Sequence, residues 1–211
     1  MSLLVRNHVQ PFRPLRGGIA IVSGPNGLFG TLGCVLTSDG QDRWILTAYH
    51  VLSGSGTTVE EDVPVFQPAL GGPELPVAHT RKAKASKTLD AAAALVSPGT
   101  ATVNEVLGIG TLARLAEPVP GMRVVKSGIA SGVTEGVVVE VKDERARIEL
   151  PPGYPSKYEL SSVSDSGAIW VEQATRSPVA LHVAGNDTGT EVALGIRLSR
   201  VLGDLRLSLL A

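Results

Sequence analysis

Glycine and proline interrupt this chain from one end to the other, with 24 Gly and 14 Pro among 211 residues. Between the breaks lie short Val/Ile/Leu-rich runs of strand length, so the pattern suits many short strands joined by turns better than long helices. Residues 19–22 and 28–36 flank Ser23-Gly24-Pro25-Asn26-Gly27, whose Pro and Asn-Gly meet the backbone needs of a tight reversal, and the two runs read as a hairpin. A strand follows at 43–48, running on through Tyr49-His50-Val51-Leu52, and another at 63–66. Residues 89–96 hold four alanines, which favour helix on propensity. The run is short and stopped by Pro98-Gly99, so it reads as a buried strand with small side chains. A polar, Pro-containing stretch at 100–120 then links to a second series of strands at 122–126, 134–141, 145–150, 167–172, 178–184 and 191–196. Leu198, Val201, Leu202, Leu205 and Leu209 recur at helical spacing and mark one face of a terminal helix.

Composition narrows the function classes. Nineteen basic against twenty acidic residues leave a net charge of -1, too little positive charge for broad capture of nucleic-acid phosphates. The basic residues of 78–87, Arg81, Lys82, Lys84 and Lys87, read as a solvated face. One cysteine, Cys34, excludes an internal disulfide or a thiolate-rich zinc site, and no histidine spacing suggests another metal or a cofactor. His8 and His79 sit in polar, Pro-flanked contexts and read as surface residues. Arg6, Asn7 and His8 end the opening apolar run before a signal-peptide core can form, and no run is long enough to span a bilayer. A soluble, cytoplasmic protein without a membrane partner is the expectation.

Three segments carry chemistry together: Thr47-Ala48-Tyr49-His50, Asp90-Ala91-Ala92 and Ser164-Asp165-Ser166-Gly167. A serine hydroxyl is a poor nucleophile at its own pKa and needs an imidazole to take its proton, which in turn needs a carboxylate to fix its tautomer. In residues, order and context these segments resemble the trypsin-like, chymotrypsin-fold serine peptidases, especially their bacterial, disulfide-free members. Gly30-Thr31-Leu32-Gly33 before the histidine and Leu181-His182-Val183-Ala184-Gly185 after the serine extend the likeness over residues 16–205. The resemblance implies an all-β fold of two antiparallel six-stranded β-barrels with the terminal helix appended. An arm at 1–15 would precede a first barrel at 16–112 carrying His50 and Asp90, and a second at 113–211 would carry Ser166. It also implies Ser166 as nucleophile, His50 as general base and then acid, Asp90 as the orienting carboxylate, no cofactor, and a protein or peptide substrate.

The pattern departs from the family at several points. By resemblance the oxyanion hole is built from the backbone N–H groups of Ser166 and Ser164, and the family usually has glycine at the latter. A side chain there restricts the backbone, so the Ser164 amide is expected to turn away until substrate or an activating protein partner turns it back. Ala168 replaces a second glycine. Asp165 pairs with a freed amino terminus in zymogen-activated relatives. Arg16-Gly17-Gly18-Ile19 does not reproduce such a cleavage site, so the expected partner is an arginine or backbone amides. Leu160 stands where the floor of the primary pocket would be, which removes the acidic residue that selects Arg or Lys. His182 resembles the histidine with which glutamyl endopeptidases bind an acidic side chain, although a strand histidine packed under the pocket fits as well. Gly185 would line that pocket and let substrate backbone add as an extra strand. The chain is thus expected to be a serine endopeptidase. A catalytically degenerate module that binds a peptide, or a small-ester hydrolase, are the alternatives.

Overall fold

Residues 91–94 are all alanine, yet they lie in the strand Ala91–Val96, inside a sheet. A computed structural model, which describes residues 6–24, 27–54, 56–67, 76–154, 159–186 and 189–210, gives the reason. This strand runs antiparallel between Trp44–Ala48 and Ala78–Ser86. Ala92 and Ala94 join one core with Ile19, Ile21 and Ile45, while Ala91 and Ala93 join another with Cys34, Leu36 and Leu46. With both faces covered, tertiary packing overrides helix propensity, and methyl groups let the neighbouring layers approach closely.

The fold is mostly strand and matches the expected two-barrel architecture. Seven strands of the first half and Ser208–Leu209 form one sheet, a half-barrel that curls around the Ile19–Ile45 core. In the second half Arg123–Gly128, Gly132–Lys142, Arg145–Glu149, Gly189–Arg197, Pro178–Asn186 and Ile169–Glu172 close into a six-stranded barrel. The core that holds Ala91 and Ala93 fills the seam: Leu36, Leu46 and Ala93 from the first half meet Ile169, Leu181 and Ile196 from the second, with Leu198, Val201, Leu202 and Leu205 of the terminal helix Leu198–Leu205 packed on both. Beyond that helix Leu209 continues in a short strand, Ser208–Leu209, that pairs back onto Val35–Thr37 of the first sheet.

Several local readings change. Residues 28–36 are not one strand but two, Phe29–Thr31 and Val35–Thr37, with Gly33 between them. A Cβ on Gly33 would lie 2.4 Å from the Gly167 carbonyl oxygen, so glycine is what lets the first sheet touch the loop beside Ser166. Ala20–Ser23 does pair antiparallel with Phe29–Thr31, although Pro25 and Asn26 of its turn lie outside the described residues. The 100–120 stretch and the early arm form a small sheet of Leu15–Gly17, Thr102–Val106 and Gly110–Thr111. The basic stretch is a strand whose charges are matched: Arg81 meets Asp62 at 2.8 Å, Lys82 meets Glu60 at 2.9 Å, and Lys84 donates to the Leu205 and Arg206 carbonyls at the end of the terminal helix. His8 is buried rather than at the surface, its Nδ1 2.6 Å from the Gly18 carbonyl oxygen. Among the described residues no helix is long and apolar enough to cross a membrane.

Candidate active site

The strand Trp44–Ala48 carries the chain to the cleft between the two halves and gives way to a short helix, Tyr49–Ser53, where the sequence pattern suggested continued strand. That turn presents the His50 ring to Asp90. The Asp90 carboxylate oxygens stand 2.9 and 3.0 Å from His50 Nδ1, and one of them also accepts the His50 backbone N–H at 3.1 Å. Asp90 itself adopts φ 47°, a left-handed conformation that Asp tolerates better than most residues, at the turn before Ala91–Val96. With Nδ1–H donated to the carboxylate, Nε2 keeps its lone pair, the tautomer a general base requires. Both side chains stay partly solvated, at 41% and 32% exposure.

Ser164, Asp165 and Ser166 form a turn across the cleft from this pair. Ser164 holds φ 84°, a conformation that ordinarily belongs to glycine and costs a side-chain-bearing residue roughly 1–3 kcal/mol. Among the described residues neither the Ser164 nor the Ser166 amide N–H has an acceptor. The Ser166 hydroxyl lies 3.4 Å from the Val183 carbonyl oxygen and borders the same cavity as His50. Gly167, at φ 96°, packs so closely that a Cβ would reach within 2.1 Å of the Thr47 hydroxyl oxygen.

Between the two serines Asp165 points inward to a site the sequence reading foresaw only in part. Its carboxylate accepts from the backbone N–H groups of Ala130, Ser131 and Ser162, from the Ser131 hydroxyl and, at 2.8 Å, from Lys126 Nζ. The cation is a lysine where an arginine was expected, and both side chains are completely buried. Burial alone would raise the Asp165 carboxyl, but the Lys126 ammonium and the converging donors hold it below its ordinary value. The signal for Lys126 was present: a charge in the middle of a strand beside two valines, and a carboxylate in need of a partner.

A cavity of about 560 Å³ joins these elements, and His50, Ser164, Ser166, His182 and Gly185 line it together with Ser161. Leu160 does not line it: its side chain is fully buried in the second-barrel core with Trp170 and Ile148, and Ser161, one residue on, takes the wall. A Cβ on Gly185 would sit 2.6 Å from the Ser161 hydroxyl oxygen, so glycine keeps that wall open. His182 is almost completely buried, edge-on to Trp170 with ring centroids 5.9 Å apart, and among the described residues its Nδ1 has no partner. Burial, with the Lys126 and His50 charges adding to it, pushes the imidazole down to about 3, so it is neutral at physiological pH. No cluster of three His, Cys, Asp or Glu side chains suited to a metal ion occurs among the described residues.

No family model matches this chain, and no curated protein matches it by sequence. Solved structures do. A glutamic acid specific serine protease that utilizes a histidine triad in substrate binding shares 19% identity at a TM-score of 0.70, covering 92% of this chain and 100% of its own. Thermobifida fusca protease A shares 15% at 0.67, with 93% and 98% covered, and Cellulomonas bogoriensis chymotrypsin 16% at 0.67, with 94% and 98%. Over nearly its whole length, this chain therefore has the chymotrypsin-like two-barrel fold of bacterial serine proteases.

Proposed function

We propose that this protein is a serine endopeptidase in which His50, Asp90 and Ser166 act as one unit. The observation that carries the reading is the His50–Asp90 pair, bonded through Nδ1 and facing the cavity that Ser166 borders. In the reaction Ser166 Oγ bonds to the carbonyl carbon of the substrate as its proton passes to His50 Nε2. The negative oxygen that results accepts hydrogen bonds from the Ser164 and Ser166 amides. His50 then gives the proton to the departing amine, leaving an acyl group on Ser166, and a water deprotonated by His50 releases it. Asp90 holds the ring in register and stabilises its charged form. With Ser164 already at φ 84°, the turn needs no partner to reach the conformation that glycine would adopt.

The substrate residue entering the pocket is proposed to be acidic. His182, neutral and on the cavity wall with Ser161, offers together with the Ser161 hydroxyl hydrogen-bond donors to a carboxylate, and among the described residues no acidic side chain lines the cavity. Active-site labelling with a fluorophosphonate, followed by hydrolysis of a peptide library, tests both parts. Wild type is expected to label and Ser166→Ala not to, with cleavage after Glu or Asp. Equal labelling of the two would leave the peptide-binding module as the better reading, and cleavage after neutral residues alone would remove the acidic preference.

A further inference from the structure

The turn around a serine held at φ 84° needs anchors, and one residue supplies several of them. Thr31 ends the edge strand Phe29–Thr31 of the first sheet and is fully buried. Its hydroxyl donates to the Ser164 carbonyl at 3.0 Å and accepts the Ile129 N–H at 3.2 Å. Its own N–H donates to the Ser166 carbonyl at 2.9 Å, and its carbonyl accepts the Thr47 hydroxyl at 2.8 Å. One residue thus grips the turn on both sides of Asp165. It ties that turn to the strand that delivers His50 and to the loop whose Ala130 and Ser131 amides hold the Asp165 carboxylate.

The Asp165 N–H donates to the Ser162 carbonyl at 3.0 Å, so the peptide between Ser164 and Asp165 is fixed at both its oxygen and its nitrogen. Turning that peptide, and with it the carboxyl side of Ser164, would break both bonds. We infer that Thr31 is a positioning residue: its hydroxyl anchors the carboxyl side of the strained Ser164 and so holds in place the turn whose Ser164 and Ser166 N–H groups serve the developing oxyanion. The inference rests on the peptidase reading above and extends it to a residue outside the reacting groups.

A cycle of variants tests it. Thr31→Val keeps the shape and removes the hydroxyl, Thr31→Ser keeps the hydroxyl, and Ser164→Gly removes the strain at the anchored residue. Loss of a whole oxyanion donor costs about 100-fold or more in kcat, so a misaligned one is expected to cost roughly 10-fold. Thr31→Val should lower kcat by that factor with KM nearly unchanged and weaken a peptide boronate inhibitor in parallel. Thr31→Ser should restore most of the rate, and in the Ser164→Gly background Thr31→Val should cost only about 2-fold. Equal losses in both backgrounds, or a loss confined to KM, would overturn the inference. Amide hydrogen exchange over residues 162–168 separates the two readings. Should wild type prove inactive, the peptidase reading falls, while faster exchange in Thr31→Val that Ser164→Gly reverses would still uphold the clamp. Unchanged exchange would end it.

Discussion

Two acid–base pairs flank the Ser164–Ser166 turn, with nearly equal contact distances and opposite surroundings. His50 and Asp90 meet at 2.9 Å and remain about one-third or more exposed, whereas Lys126 and Asp165 meet at 2.8 Å with no exposure at all. A group that must take and return protons in every cycle has to reach the cavity, so its pair cannot be sealed. A pair whose task is to hold a turn gains from being sealed, because burial removes water as a competitor for its hydrogen bonds. On the peptidase reading, the same chemistry thus yields an exchanging pair in one place and a fixed anchor in the other.

Substitutions that keep shape and alter charge sharpen the contrast. Asp90→Asn is expected to lower kcat about 10⁴-fold while moving the melting temperature little, because only the tautomer and charge of the His50 environment change. Steady-state kinetics beside a thermal melt read both, and a large melting shift with retained activity would reverse the assignment. Lys126→Met leaves Asp165 buried without its cation and is expected to cost about 3–5 kcal/mol of stability. Urea unfolding measures this, and a loss below about 1 kcal/mol would mean that the converging amides suffice alone. A smaller effect concerns pH. Because the folded protein holds His182 down at about 3 against an ordinary 6.5, the unfolded chain binds the proton first, and the stability due to the neutral ring is full above about pH 6.5 and lost as pH falls toward 3. His182→Gln should flatten that acid limb of the urea midpoint. Some slope will remain, since burial also lowers His8, and an unaltered limb would show that His182 is not the proton acceptor.

The strands were legible because their apolar runs are short and bounded by turn residues, and the His50, Asp90 and Ser166 segments stood out because each follows or adjoins such a run. What escaped the sequence is what depends on distant contacts. Tyr49–Ser53 turns helical though its Val and Leu prolong the apolar pattern of the strand before it. The 100–120 stretch looks like a linker until Leu15–Gly17 arrives beside it, in parallel, to share its hydrogen bonds. His8 lies among polar and proline residues, and only the fold reveals the Gly18 carbonyl that receives its ring. Leu160 was assigned by counting back from Ser166, and a one-residue offset along an extended segment sends a side chain to the opposite face: Leu160 to the core, Ser161 to the cavity. Thr31 carried no signal of its own, since a threonine in a strand is ordinary until three other segments converge on it.

The short strand Ser208–Leu209 zips onto Val35–Thr37, and the seam it closes draws on Ile169, Leu181 and the helix Leu198–Leu205. During synthesis the amino-terminal sheet therefore waits, with one edge of Val35–Thr37 unpaired and Leu36 and Leu46 lacking their cover, until residues 198–209 have left the ribosome. His50 and Asp90 can meet early, but the cleft beside them takes shape only when translation has passed residue 209.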